Sequence, residues 1–299
     1  MDKMNEVTML AFAKINLCLD ITGIRDDGYH TLDMVNQSVD LCDRVEIRRM
    51  HGTGIRIKTT AWFLPKNEKN TVHKAVTAFF DYTGIGKQPL DIFVRKKIPT
   101  QAGLGGGSAD AAAALVGVNA MFDAGLTTKQ LCDIGEKVGA DVPFCIVGGT
   151  ARVRGIGEDI APIKSNCDYS VVIAMPHIGR STREAFKAID SKTDYERPDA
   201  DSMVECLEAG DVSGVAVKLC NVFHTANRDE ISDRLIATML DNGALNASLS
   251  GSGAAVFGIF KTHLEAQKFY RIGRHGDYRL YLARPETRGV QIINSRLEQ

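Results

Sequence analysis

The chain has 299 residues, 44% hydrophobic and 24% charged, with 28 Gly and only 8 Pro, which suits a globular protein with ample core. Its formal net charge of -1 argues against a broad nucleic-acid or anionic-membrane surface and leaves room for a local basic pocket. No apolar run approaches the roughly 18 residues that span a bilayer. Met1–Glu6 carries acids where a signal peptide needs apolar residues. A cytoplasmic protein without membrane or nucleic-acid partners is therefore expected. The seven cysteines contain no C-x-x-C pair and the seven histidines no H-x-x-x-H spacing. Neither a disulfide framework nor a transition-metal site is indicated, and the cysteines read as small core residues.

In chain order, Val7 to Ile21 predicts a long strand. Ala11, Ala13, Ile15, Leu17, Leu19 and Ile21 make one apolar face, and Lys14 and Asn16 point together from the other. A cation beside an amide suits a polyanionic substrate or developing negative charge, although a solvated edge lysine has the same pattern. Arg25–Gly28 is a turn signal. Tyr29 and His30 at its exit could stack on and hydrogen-bond a ring, or be a packed Tyr and a surface His. Strands are predicted at 35–49 and 54–59. Asn70 then opens a helix with apolar Val72, Ala75, Val76, Phe79 and Phe80 at helical period.

A strand over 90–98, ending in Lys96 and Lys97, feeds the stretch Pro99–Leu115. Gly103, Gly105, Gly106 and Gly107 sit there between the strand and an alanine-rich helix, with Ser108 placed to cap that helix. A helix N-terminus has unpaired N–H groups and is a ready anion site, and glycines before it let the backbone curl around a phosphate. No Lys follows the glycines, which excludes the P-loop motif. Ser108 stands where a dinucleotide fingerprint needs its third glycine.

Thr127 with Gln130 forms a capping box for the next helix. Asp141 follows that helix and precedes Pro143 and an apolar run, 144–147, read as a strand. An Asp so pinned suits a catalytic carboxylate, or merely caps a turn. A composition shift at 163–168 predicts a boundary, giving domains 1–163 and 164–299. Beyond it a strand is expected at 169–175, helices near 183–189, 200–209, 212–220 and 228–240, and a strand at 254–260. A helix at 264–272 and a strand at 278–283 complete an α+β pattern.

Together, the Lys14/Asn16 strand, the glycine stretch, Gly139–Pro143 and Leu249–Gly253 resemble the GHMP superfamily of small-molecule kinases. Ala13–Leu17, Asp27–His30 and Gly139–Pro143 are similar to its branch acting on a cytidine diphosphate alcohol. The resemblance implies a GHMP kinase fold, with a ribosomal-S5-domain-2-like N-terminal half and a ferredoxin-like C-terminal half. It implies transfer of the ATP γ-phosphoryl group to a substrate hydroxyl with Mg2+ accompanying the nucleotide, by a monomer or weak homodimer.

By the same resemblance, Asp141 is the general base, Lys14 stabilises charge beside it, and Asn16 helps position the substrate. Gly103, Leu104, Gly105, Gly106, Gly107 and Ser108 would cradle the ATP phosphates, with Asn70 and Lys96 near the nucleotide. Tyr29 and His30 would receive the cytosine, with Thr182 and Phe186 across the pocket and Ile156 lining it. Two departures stand out. Ala109 replaces a second serine, which leaves the protein ligands of Mg2+ open, and Asp110 would repel a triphosphate unless it turns away or faces the metal. Another GHMP kinase, acting on homoserine, mevalonate or a sugar, and an inactive nucleotide-binding homologue are the alternatives.

Overall fold

The structure, a computed structural model, describes residues 4–178, 182–192, 194–273 and 277–297. It begins with β1 (Met4–Ile24), β2 (His30–Arg49), β3 (Ile55–Thr59), α1 (Thr71–Thr83), β4 (Leu90–Arg95) and α2 (Gly106–Met121). Next come α3 (Thr128–Glu136), α4 (Val142–Val147), β5 (Thr150–Gly155) and β6 (Asp159–Pro162). The second half holds β7 (Ser170–Pro176), α5 (Thr182–Ile189), α6 (Ala200–Ala209), α7 (Val212–Val217), β8 (Cys220–Asn221) and α8 (Val222–Thr225). It closes with α9 (Glu230–Asp241), β9 (Asn246–Leu249), β10 (Val256–Phe260), α10 (His263–Ile272), β11 (Tyr278–Ala283) and β12 (Val290–Leu297).

The first sheet is ordered β12-β1-β2-β4-β3, with β5 paired to β2 and β6, and β8 to β1. The second, antiparallel throughout, is ordered β11-β7-β10-β9. The sheets change over between Pro162 and Ser170. We propose a division at 163/164 as the boundary of the halves, with two returns to the first sheet that composition did not reveal. β8 pairs parallel with Cys18 and Leu19 of β1. β12 crosses back and pairs antiparallel with Met4–Ala11 of β1.

β1 is the axis of the molecule. Ala11 through Leu19 are all buried, so both of its faces are covered and not only the apolar one. α2 lies on the first face. Ala109 and Ala111 through Ala114 are all buried, as expected of a helix start apolar on every side, and Gly117 permits the close approach. A Cβ on Gly117 would come within 2.4 Å of Met9 Cε. α1 buries Val72, Ala75, Val76, Phe79 and Phe80, the predicted stripe.

The expected strand at 144–147 is the helix α4. A four-residue apolar run carries no period that separates helix from strand. Pro143 in the first turn suits a helix start. Packing of Val142 and Ile146 against Gly135 then settles the conformation, since a Cβ on Gly135 would sit 2.8 Å from Val142.

Candidate active site

α2 begins at Gly106, earlier than a Ser108 cap requires. Its N-cap is Gly105, in the left-handed region at φ 67°, and no side chain caps the helix. Ser108 is therefore the third helical residue and not the cap. First-turn N–H groups have no intrahelical partner, so the positive end of α2 opens uncapped towards a cavity of about 520 Å³. The loop before it is gripped by the second half of the chain. Ser250 Oγ donates to Gly103 O at 3.0 Å and Ala255 N to Ala102 O at 3.1 Å. At Gly103 (φ 74°) a Cβ would fall 1.9 Å from Ser250 O, so only glycine fits.

Lys14 passes beneath this loop. Its backbone N–H donates to Leu104 O at 3.1 Å, and a Cβ on Gly105 would lie 3.0 Å from Lys14 Cγ. Lys14 Nζ donates to Asn16 Oδ1 at 2.8 Å and stands 3.8 Å from Asp141 Oδ2. Asn16 is fully buried: its Oδ1 also accepts from Gly251 N at 2.7 Å and its Nδ2 donates to Asn36 Oδ1 at 2.7 Å. It holds the lysine and does not line the cavity. Asp141 occupies the N-cap position of α4, yet its side chain makes no capping bond. Its carboxylate, 35% exposed, faces the cavity instead.

Lys96 also lines the cavity, but its ammonium group is held by protein. It donates to the carboxylates of Asp43 and Asp110, the latter at 2.7 Å, and to Gly106 O at 3.3 Å. Asp43, completely buried, accepts from Lys97 N and Ile98 N and so ties the end of β4 to the start of α2. Burial pushes the Asp110 carboxyl up from its ordinary value, against the pull of the Lys96 ammonium. For Lys96 itself burial works downward, but Asp110 and Asp43 outweigh it and raise the group. Asp110 thus turns towards Lys96, and its Oδ1 is buried without a partner.

Asn70 lines the cavity while its amide serves the fold, accepting from Val72 N at 2.9 Å and donating to Pro65 O at 2.7 Å. Thr71 Oγ1 donates to Gly107 O at 2.9 Å, linking α1 to the glycine loop. From the second half, Phe186 reaches the same cavity, set edge-on against Phe223 with ring centroids 4.9 Å apart. Tyr29 and Ile156 line a second cavity of about 370 Å³. The two cavities adjoin, because Ala140 lines both. His30 lines neither and packs on Phe186, centroids 4.5 Å apart. The Thr182 side chain lies outside the described residues. Sequence reasoning missed Asp43, Leu64, Pro65, Thr71 and Phe223; only Pro65, as a turn residue ahead of the Asn70 cap, left a local signal.

Among the described residues, no group of three or more His, Cys, Asp or Glu could hold a metal ion, and no helix is long and apolar enough to cross a membrane.

Residues 70–149 match the GHMP kinases N terminal domain and residues 203–276 the GHMP kinases C terminal family. The chain is 42% identical over 269 residues to the 4-diphosphocytidyl-2-C-methyl-D-erythritol kinase of Alkaliphilus metalliredigens, covering 89% of this chain and 92% of that one. The namesake from Caldicellulosiruptor bescii is 40% identical, with 86% and 91% covered. A crystal structure of 4-(cytidine 5'-diphospho)-2C-methyl-D-erythritol kinase superposes with a TM-score of 0.78 at 26% identity, over 93% of this chain and 98% of that one. Homoserine kinase from Cytophaga hutchinsonii, at TM-score 0.76 and 21% identity over 97% and 98%, shares the fold. The α+β architecture is thus the GHMP kinase fold, and the chain belongs to the 4-diphosphocytidyl-2-C-methyl-D-erythritol kinase family.

Proposed function

We propose that this enzyme transfers the γ-phosphoryl group of ATP to the 2-hydroxyl of 4-diphosphocytidyl-2-C-methyl-D-erythritol, a step of the non-mevalonate route to isoprenoid precursors. The observation that carries the mechanism is the uncapped Asp141 carboxylate, 3.8 Å from Lys14, facing a cavity whose other wall is the uncapped start of α2. Phosphoryl transfer asks a protein chiefly for positioning and charge stabilisation. Gly103–Ser108 supply backbone N–H groups for the phosphates, and Leu64, Pro65, Asn70 and Thr71 wall the nucleotide side. Asp141 accepts the proton of the attacking hydroxyl. Lys14, oriented by Asn16, offsets charge on the reacting oxygens. Lys96 acts through the backbone, by fixing Gly106 against Asp43 and Asp110.

The residues fit Mg2+ that arrives with the nucleotide. Mg2+ needs only one or two protein oxygens beside phosphate and water, and the cradle offers the Ser108 hydroxyl and the orphaned Asp110 Oδ1. When bound it would neutralise negative charge on the phosphoryl group being transferred. On the substrate side, Tyr29, Phe186 and Ile156 line the two cavities that join at Ala140 and would take the cytosine, with His30 reaching it from its place against Phe186.

Asp141→Asn is expected to fold normally and lose about a hundredfold or more in turnover. ADP release is the assay, run on 4-diphosphocytidyl-2-C-methyl-D-erythritol, mevalonate, homoserine and galactose. Turnover of one of the latter three but not the first overturns the substrate assignment, and near-normal activity of Asp141→Asn removes that residue from the mechanism.

A further inference from the structure

His30 is held from two sides by one helical turn. Its Nε2 lies 2.6 Å from Asp190 Oδ1, and its ring tilts 32° against Phe186. Asp190 follows directly on α5, and its backbone N–H donates to Phe186 O at 3.1 Å. The carboxylate and the phenyl ring therefore move as a unit, with Ile189 buried beneath them. Among the described residues, the His30 ring makes no other hydrogen bond, so Nδ1 is its uncommitted nitrogen.

A carboxylate only accepts hydrogen bonds, so the shared proton belongs to Nε2. In the neutral ring Nδ1 then carries a lone pair. That lone pair accepts from an exocyclic amine and meets a carbonyl oxygen at the same position as an unpaired acceptor. Cytosine bears the amine there, and uracil the carbonyl.

We propose that Asp190 is the positioning residue that sets base specificity: it fixes His30 as an acceptor and so selects a cytidine over a uridine substrate. This rests on the reading that His30 meets the base. The pair sits at the rim of the site, with the His30 side chain 14% and the Asp190 side chain 41% exposed. Removing the Asp190 carboxylate therefore strands no deeply buried group.

The test compares kcat/KM for 4-diphosphocytidyl-2-C-methyl-D-erythritol and its uridine analogue in the full-length enzyme at saturating ATP. Asp190→Ala is expected to shrink the cytidine-to-uridine ratio about tenfold, the worth of one lost and one mismatched hydrogen bond. The change should fall on substrate KM, with kcat and the KM for ATP unmoved, and Asp190→Glu should restore part of it. Nitrogen-15 shifts of the His30 ring should report the Nε2–H tautomer in the parent and a mixture in Asp190→Ala.

An unchanged ratio in Asp190→Ala, or equal losses on both substrates, overturns the proposal. His30→Ala separates that failure from failure of the underlying reading. If His30→Ala collapses the ratio while Asp190→Ala does not, base contact by His30 stands and the role of Asp190 falls. If His30→Ala leaves the ratio intact, both fall.

Discussion

Lys14 is a cation with almost no water around it. Its side chain is 4% exposed, and its stem lies under Gly105 while Asn16 holds its tip. Methionine copies that stem without the charge. Lys14→Met leaves Asn16 Oδ1 with the Gly251 N–H it already accepts. The variant is expected to keep the thermal midpoint of the parent within a few degrees. Its kcat should drop on the order of a hundredfold to a thousandfold, as when one preorganised electrostatic contact is removed. Steady-state ADP release and a thermal melt check both, and unchanged kcat would remove Lys14 from the chemistry. The alternation of β1 made the shared direction of Lys14 and Asn16 legible. What hid was the burial of that face, because its cover comes from Leu104 and Gly251, far away in the chain. Asp43 was illegible for the same reason. Nothing near it in sequence announces that Lys96, Lys97 and Ile98 will all converge on it.

Two helix starts show how one residue type can have two meanings. Thr127 caps α3 in a full capping box, readable from Thr127 and Gln130 alone. Ser108 has the same look but sits inside α2, since Gly105 takes the left-handed turn that lets the helix begin sooner. Local rules do not see that choice, because the neighbours that crowd any side chain at Gly105, Lys14 and Cys145, are distant in sequence. Thr127→Ala should therefore cost about 1 kcal/mol of stability and leave the KM for ATP alone. Ser108→Ala should do the reverse: stability within about 0.5 kcal/mol of the parent, and KM for ATP raised severalfold. Denaturant melts paired with ATP titrations decide it, and a stability loss in Ser108→Ala equal to that of Thr127→Ala would restore Ser108 to a capping role. The apolar turn of α4 belongs at this scale too. Its helical state comes from Gly135 and Pro143, and the four residues alone do not encode it.

At the scale of the molecule, the two sheets meet over the glycine loop, where the stretch 250–255 grips 101–103. The return of β12 could not be read from composition, since pairing partners nearly 300 positions apart leave no shared local pattern. That return is structural. Phe12 N donates to Gly289 O at 3.0 Å, and Gly148 packs so tightly that a Cβ there would lie 1.8 Å from Gly289 N. A chain ending at Ala283 leaves Met4–Ala11 as a bare edge. It is expected to lose the cooperative melt of the first sheet, followed by circular dichroism. A melt at the temperature of the full chain would show β12 to be dispensable.

The same pairing sets a clock. A ribosome adding about 5–20 residues per second takes roughly 15–60 s to make the chain between β1 and β12. Through that interval the edge of β1 exists as nascent polypeptide without its neighbour. The kinase active site, although every residue assigned to it precedes residue 253, is thus completed in its final frame only when the last strand has left the ribosome. The cell must keep that open edge from other chains until then.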